Sequence, residues 1–149
     1  MMIWHPHLTV AAVIEKEQRF LMVEERATGR LVINQPAGHL EDKESLIDAV
    51  IRETFEETTW RFRPSQLIGV YHWQQPQNRQ TYIRFCFCGE LLEQDKNASL
   101  DPDIEQALWL SYEEVIKRQT QHRSPLVLSC INDYLAGHRY PLELIHARI

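Results

Sequence analysis

The chain has 149 residues, 44% of them hydrophobic and 25% charged, with a formal net charge of -5 and a pI near 5.8. That length suffices to bury a core without disulfides or a structural metal, and residues 1–149 are read as a single domain. The acidic balance leaves no basic footprint, which argues against duplex nucleic acid as a partner and means that an anionic ligand needs a cation to bridge it.

In chain order, the opening MMIWHPHLTVAAVIEKE has an apolar run well short of the roughly 20 residues of a membrane span. It also lacks a basic leader region or a small-residue cleavage site, so it is read as a strand, with no membrane partner expected. The runs LTVAAVIE (Leu8 to Glu15) and RFLMVEE (Arg19 to Glu25), joined by the polar KEQ, predict a β-hairpin. RLVIN (Arg30 to Asn34) follows the Thr28-Gly29 turn as a shorter strand, and NQPAG then breaks regular structure, since Pro36 removes a donor and Gly38 relaxes the backbone. A helix is expected from about Glu44 to Thr58. QLIGVYHWQQ and QTYIRFCFCGEL read as long strands around a PQNR turn, and QALWL as a further strand. SYEEVIKR carries a Ser with a Glu three residues on, an N-terminal capping pattern. SPLVLSCINDYLAG predicts a second such helix, with Ser124 as cap, Pro125 in the first turn and Gly137 as the stop.

The three cysteines, Cys86, Cys88 and Cys130, lack metal-binding or disulfide spacing, so a reducing, cytoplasmic setting is expected. Cys86 and Cys88 share one face of their strand, opposite Phe85 and Phe87, where they read as packing residues. Mixed strands with a few helices predict a layered α/β domain.

The segment GHLEDKESLIDAVIRETFEETTW, Gly38 to Trp60, carries the chemistry. On a helical wheel Ile47, Val50, Ile51, Thr54, Phe55 and Thr58 form the face that docks on a sheet. Glu53, Glu56 and Glu57 gather on the other side with only Arg52 of opposite sign among them. A solvated surface face and a divalent cation site both fit that pattern, although a surface built for stability would intersperse lysines.

The spacing is more specific than the wheel. Gly38, five residues, Glu44, seven residues, Arg52-Glu53, two residues and Glu56-Glu57 form a set expected by chance with a probability on the order of 10⁻⁵ in such a chain. This pattern resembles the Nudix box of the Nudix hydrolase superfamily. TVAAVIE, FLMVEE, NQPAGHLE, HW, RFCF, RSPLV and RYPLELI extend the resemblance, in order, to a group of bacterial Nudix phosphatases over nearly the whole chain. Two positions depart from the box: Thr59 stands where Gly is usual, and Thr54 where an aliphatic residue is usual. Thr59 puts the helix C-terminus in question, because a left-handed cap suits Gly better than Thr.

The resemblance implies an α/β/α sandwich with a mixed sheet, the box forming loop-helix-loop, and Mg²⁺ (or Mn²⁺) as cofactor. It implies Glu53 and Glu57 as primary ligands with Glu56 completing the cluster, the Ala37 carbonyl as a further ligand, and Gly38 and Glu44 in structural roles. Arg52 is expected to orient the carboxylates, a task for a guanidinium rather than an ammonium, and an i,i+4 pair with Glu56 is compatible with it. The general base varies among such enzymes, and here Asp103 is the later candidate, with Asp101 and Glu105 as rivals. Trp73 and Tyr82 are candidates to stack on a substrate ring, and Arg84 and Arg123 to hold phosphates, against their ordinary roles as core aromatics and surface cations. His39 and His72 read as packing or hydrogen-bonding residues, because Mg²⁺ prefers oxygen.

The implied substrate is a small phosphoanhydride, with terminal phosphate removed from nucleoside tri- and diphosphates and from thiamine-type pyrophosphates. The rivals are a pyrophosphohydrolase of ADP-ribose, dinucleoside polyphosphates or oxidised nucleotides, and a non-catalytic nucleotide-binding domain. A monomer is expected, with a dimer as the alternative.

Overall fold

A computed structural model describes residues 2–149. Two sheets form. The first is mixed, in the order β5 (Ala37–His39), β1 (His7–Val13), β7 (Thr81–Gln94), β6 (Trp60–Gln74) and β9 (Tyr140–Pro141). The second joins β2 (Glu15–Lys16), β3 (Arg19–Ala27), β4 (Arg30–Asn34) and β8 (Ile104–Ser111), all antiparallel. Three helices complete the fold: α1 (Leu46–Thr58), α2 (Tyr112–Lys117) and α3 (Leu126–Leu135). No described helix is long and apolar enough to cross a membrane.

The expected hairpin of the first two strands survives only at its tip. Glu15 and Lys16 pair with Phe20 and Arg19 across Glu17 and Gln18, both left-handed, while β1 pairs with β5 and runs parallel to β7 from His7↔Tyr82 to Val13↔Cys88. The reason lies in β1 itself. Val10 to Ile14 is apolar without alternation and at most 2% exposed, so it needs strands on both edges and apolar cover on both faces.

That cover comes from two cores. Val10, Ala12, Ile14 and Phe87 pack with Ala49 and Val50 of α1, whereas Ala11, Val13, Cys86 and Cys88 pack with Val127, Cys130 and Ile131 of α3. The opposed faces of Cys86/Cys88 and Phe87 follow the period-two expectation, and all three cysteines are free and buried. β6 begins six residues earlier than expected, directly after α1, because bulges accommodate Pro64 opposite Gly89. A side chain at Gly89 would meet the Arg63 carbonyl carbon and oxygen, so the sheet closes there only on Gly.

The helix ends are capped by their own sequence. Ser45 Oγ accepts from the Asp48 N–H at 3.0 Å, and Ser111 and Glu114 form a reciprocal capping box on α2. Ser124 Oγ accepts from the Leu126 N–H at 3.1 Å ahead of α3, where Pro125 rather than Ser124 takes the N-cap position; the helix ends at Leu135, and left-handed Gly137 (φ 90°) follows. At the end of α1, Thr59 occupies the left-handed cap, with φ 63°, and its N–H donates to the Phe55 carbonyl at 2.8 Å. Its carbonyl accepts from the Asp95 N–H at 2.9 Å and its hydroxyl from Gln94, partners that offset a strain of about 1–2 kcal/mol.

Candidate active site

α1 docks on the mixed sheet with a face rotated from the one the wheel predicts. Val50, Thr54 and Thr58 are buried as expected, but Ile51 and Phe55 of the predicted face stay partly exposed, while Ala49, outside that face, and Glu57, read on the polar side, are buried. Ala49 is small enough to let the helix approach the sheet, and Glu57 is carried in beneath β5. There Glu57 Oε1 accepts from the Ala37 N–H at 2.9 Å. Desolvation raises its pKa to about 9, against the relief of that hydrogen bond and with further raising by Glu25, Glu53 and Asp101.

Arg52 organises the rest of the helix face. Its Nε and Nη2 hold Glu44 in a bidentate pair at 2.6 and 3.0 Å, and Nη1 bridges Glu53 at 2.8 Å and Glu56 at 2.7 Å. Nη2 also donates to the His39 carbonyl at 3.0 Å, and Glu44 accepts from the Glu41 N–H, so the loop and the helix share one guanidinium. Arg52 thus grips the loop carboxylate with its fork and steadies the helix carboxylates with one nitrogen. The bond with Arg52 pulls Glu44 below the usual carboxylate range, whereas burial pushes Glu53 up to about 7 despite Arg52.

Glu53, Glu56 and Asp101 each offer an oxygen within 4.8 Å of the others. Asp101 reaches the helix because its N–H donates to the Glu56 carbonyl at 3.0 Å, and burial followed by Glu56 raises its pKa. Gly38 lies directly against this cluster: a Cβ there would lie 2.1 Å from the Glu53 carboxyl carbon. The glycine of the box is therefore required by close approach, at a backbone with ordinary φ.

One cavity of about 840 Å³ opens beside the box. Glu53, Glu57, Ala37, Gly38 and Asp103 line it, as do Trp73, Tyr82, Arg84 and Arg123. The residues singled out in the sequence for ring stacking and phosphate binding, far apart in the chain, thus face the same space as the box. Glu56 and Glu44 stand outside that lining. Asp103 is held by its carbonyl, which accepts from the Arg26 N–H at 2.9 Å, and Glu105 is ion-paired with Arg26. The Trp73, Tyr82, His7 and His39 rings form a ladder across β6, β7, β1 and β5, with the Tyr82 and His7 rings stacked at 4.8 Å. His7 Nδ1 and His39 Nε2 lie 3.1 Å apart.

Arg84 is the least ordinary member of the lining. It is 5% exposed, and its partners are the side chains of Gln35, at 2.9 Å, Asn34, at 3.0 Å, and the Cys130 sulfur, at 3.8 Å, with no carboxylate among the described residues. Its Nε has no partner among the described residues. Gln35 is itself fixed by a 2.7 Å bond to the Val127 carbonyl. Asn34 donates to Glu25, which pairs with Arg123 at 2.9 Å. Nothing in the sequence marks Asn34, Gln35 or Glu25: the first two open the loop NQPAG, and Glu25 reads as the polar end of a strand.

The chemistry of the donors suits a hard divalent cation: oxygen ligands, mutually close, three carboxylates against the single guanidinium of Arg52. The fold and this carboxylate-lined cavity define a layered α/β domain with a candidate cation site. A NUDIX domain model matches residues 5–130, and the chain belongs to the Nudix family as a hydrolase acting on phosphoanhydride bonds. Two relatives named phosphatase NudJ, from Shigella boydii and Escherichia coli, are 43% and 42% identical over 140 residues, covering 94% of this chain and 90% of theirs. A solved NUDIX hydrolase from Nitrosomonas europaea superposes with a TM-score of 0.93 at 47% identity, covering 97% of this chain and 98% of that one.

Proposed function

We propose that this protein is a Mg²⁺-dependent phosphatase that releases terminal phosphate from nucleoside tri- and diphosphates and from thiamine-type pyrophosphates. One observation carries the reading: buried Arg84, a cation without a carboxylate partner among the described residues, lines the same cavity as Glu53 and Glu57. A fixed guanidinium opposite a carboxylate-held cation suits a phosphate chain, which needs positive charge along its length. The match to phosphatase NudJ over 94% of the chain supports terminal phosphate release over cleavage between two nucleotide fragments.

Glu53, Glu56 and Glu57 would hold the cation, with Asp101 and the Ala37 carbonyl as further oxygen donors. Such a cation, when bound, neutralises phosphate charge and lowers the pKa of water. Arg52 keeps the carboxylates aimed, Arg84 and Arg123 bind phosphate oxygens, and Trp73, with Tyr82 beside it, stacks on the organic ring. Asp103 accepts the proton of the attacking water. The protein acts as a monomer in the cytoplasm.

A substrate panel in Mg²⁺, with phosphate and pyrophosphate measured separately, tests this. The expected product is inorganic phosphate from nucleoside tri- and diphosphates and from thiamine pyrophosphate. Pyrophosphate, or two nucleotide fragments from ADP-ribose, as the main product would instead place the protein among the pyrophosphohydrolases.

A further inference from the structure

A second chamber, of about 530 Å³, adjoins the catalytic cavity, and Arg30, Trp73, Gln75, Gln77, Arg123 and Ser124 line both. Its outer walls are the Gln75–Gln77 turn, the segment from Gln119 to His122, and one face of α3. That face presents Pro125, Leu128, Ser129 and Asn132 at the i, i+3, i+4, i+7 spacing of a single helix stripe. The two spaces differ in charge. Glu25, Glu41, Glu53, Glu57 and Asp103 line the catalytic cavity, whereas no carboxylate lines the second chamber.

Its polar groups are biased toward donation. The Asn132 carbonyl oxygen is taken by the Tyr112 hydroxyl at 2.9 Å, and that of Gln75 by the Gln77 N–H at 2.8 Å, which leaves both amide NH₂ groups without a partner among the described residues. Trp73 supplies an indole at the junction, braced by the Tyr82 ring at 5.8 Å. A volume of this size lies within the range of small-molecule sites.

We infer that this chamber is the subsite for the organic half of the substrate: a nitrogen heterocycle that stacks on Trp73 and turns its acceptor edge toward Asn132 and Gln75. Its phosphate chain passes Arg30 and Arg123 into the catalytic cavity. This rests on the phosphatase reading and extends it, since it assigns ring recognition to α3 and the β6–β7 turn, outside the box.

The test is calorimetric, in Mg²⁺, with a β,γ-imido nucleoside triphosphate and with imidodiphosphate, which has the anhydride-like core but no ring. Leu128→Trp narrows the chamber, and Asn132→Asp, at an exposed position, replaces a donor by an acceptor without risk to the core. Each variant is expected to weaken the nucleotide analogue about tenfold, the worth of one stacking or edge contact, while imidodiphosphate affinity stays within about twofold. Equal loss for both probes, or no loss for the nucleotide, overturns the assignment. If the unaltered protein cleaves inorganic tripolyphosphate yet binds no nucleotide analogue, the subsite falls and the phosphatase reading stands. If it cleaves no phosphoanhydride, that reading falls first and takes the subsite with it.

Discussion

Glu57 is 6% exposed and accepts one hydrogen bond among the described residues, from the Ala37 N–H. With its pKa raised to about 9 by burial, the folded protein keeps a proton that the unfolded chain releases near the ordinary carboxylate value. Without a divalent cation, stability therefore declines as pH rises through that window, and a cation that replaces the proton restores it. Thermal melts should show Mg²⁺ raising Tm more at pH 8.5 than at pH 6, both values lying in that roughly 4.5 to 9 window, with the increment largely lost in Glu57→Gln. The same substitution should lower kcat by at least about 10³-fold with the fold intact. Near-normal turnover in saturating Mg²⁺ would remove Glu57 from the ligand set. For Asp103, which lines the cavity outside the carboxylate cluster, Asp103→Asn should reduce kcat more than it changes KM. Unchanged kinetics would return the base to the box helix.

At the scale of the element, the box works as one loop-helix unit because Arg52 ties Glu44 and the His39 carbonyl to Glu53 and Glu56. Gly38 lets that unit close on Glu53. Gly38→Ala puts a methyl where the Glu53 carboxyl stands, and is expected to raise the Mg²⁺ concentration needed for half-maximal activity by about tenfold or more, in keeping with a misplaced ligand. A protein of unaltered Mg²⁺ dependence would show that the loop yields instead. The two departures from the box pattern differ in how they are accommodated. Thr59 takes the left-handed cap with its hydroxyl and backbone partnered, whereas the Thr54 hydroxyl is buried with no partner among the described residues. Thr54→Val, nearly isosteric, should therefore raise stability by about 1 kcal/mol in chemical denaturation. A loss of stability would reveal a partner for that hydroxyl.

Across the whole molecule, the second sheet is joined to the segment after α2 by Glu24, which pairs with Arg118 and accepts from Gln106. The adjoining segment is pinned by the Arg123 N–H donating to the Ile33 carbonyl at 2.8 Å, and this brings Arg123 to the cavity. Gln106 first and Arg118 after it lower the Glu24 pKa against the penalty of burial, so its contribution is present above the ordinary carboxylate pKa and is lost as pH falls through the lowered value. Glu24→Gln should lower Tm at pH 7 and converge with the unaltered protein in acid. A constant difference at all pH values would assign the effect to packing rather than charge.

The box spacing, the Val50, Thr54 and Thr58 part of the docking face of α1 and the paired faces of Phe87 and Cys86 were legible in the sequence, because each depends on local periodicity or on residues close along the chain. The pairing of β1 with β7, the burial of Glu57 and the reach of Asp101 to Glu56 were decided by tertiary structure. So was the isolation of Arg84 among neutral amides, since its partners Asn34 and Gln35 lie about fifty residues away in sequence. Periodicity tells which side of an element avoids water. Which distant backbone or charge meets it there is settled only when the two sheets and their helices close together.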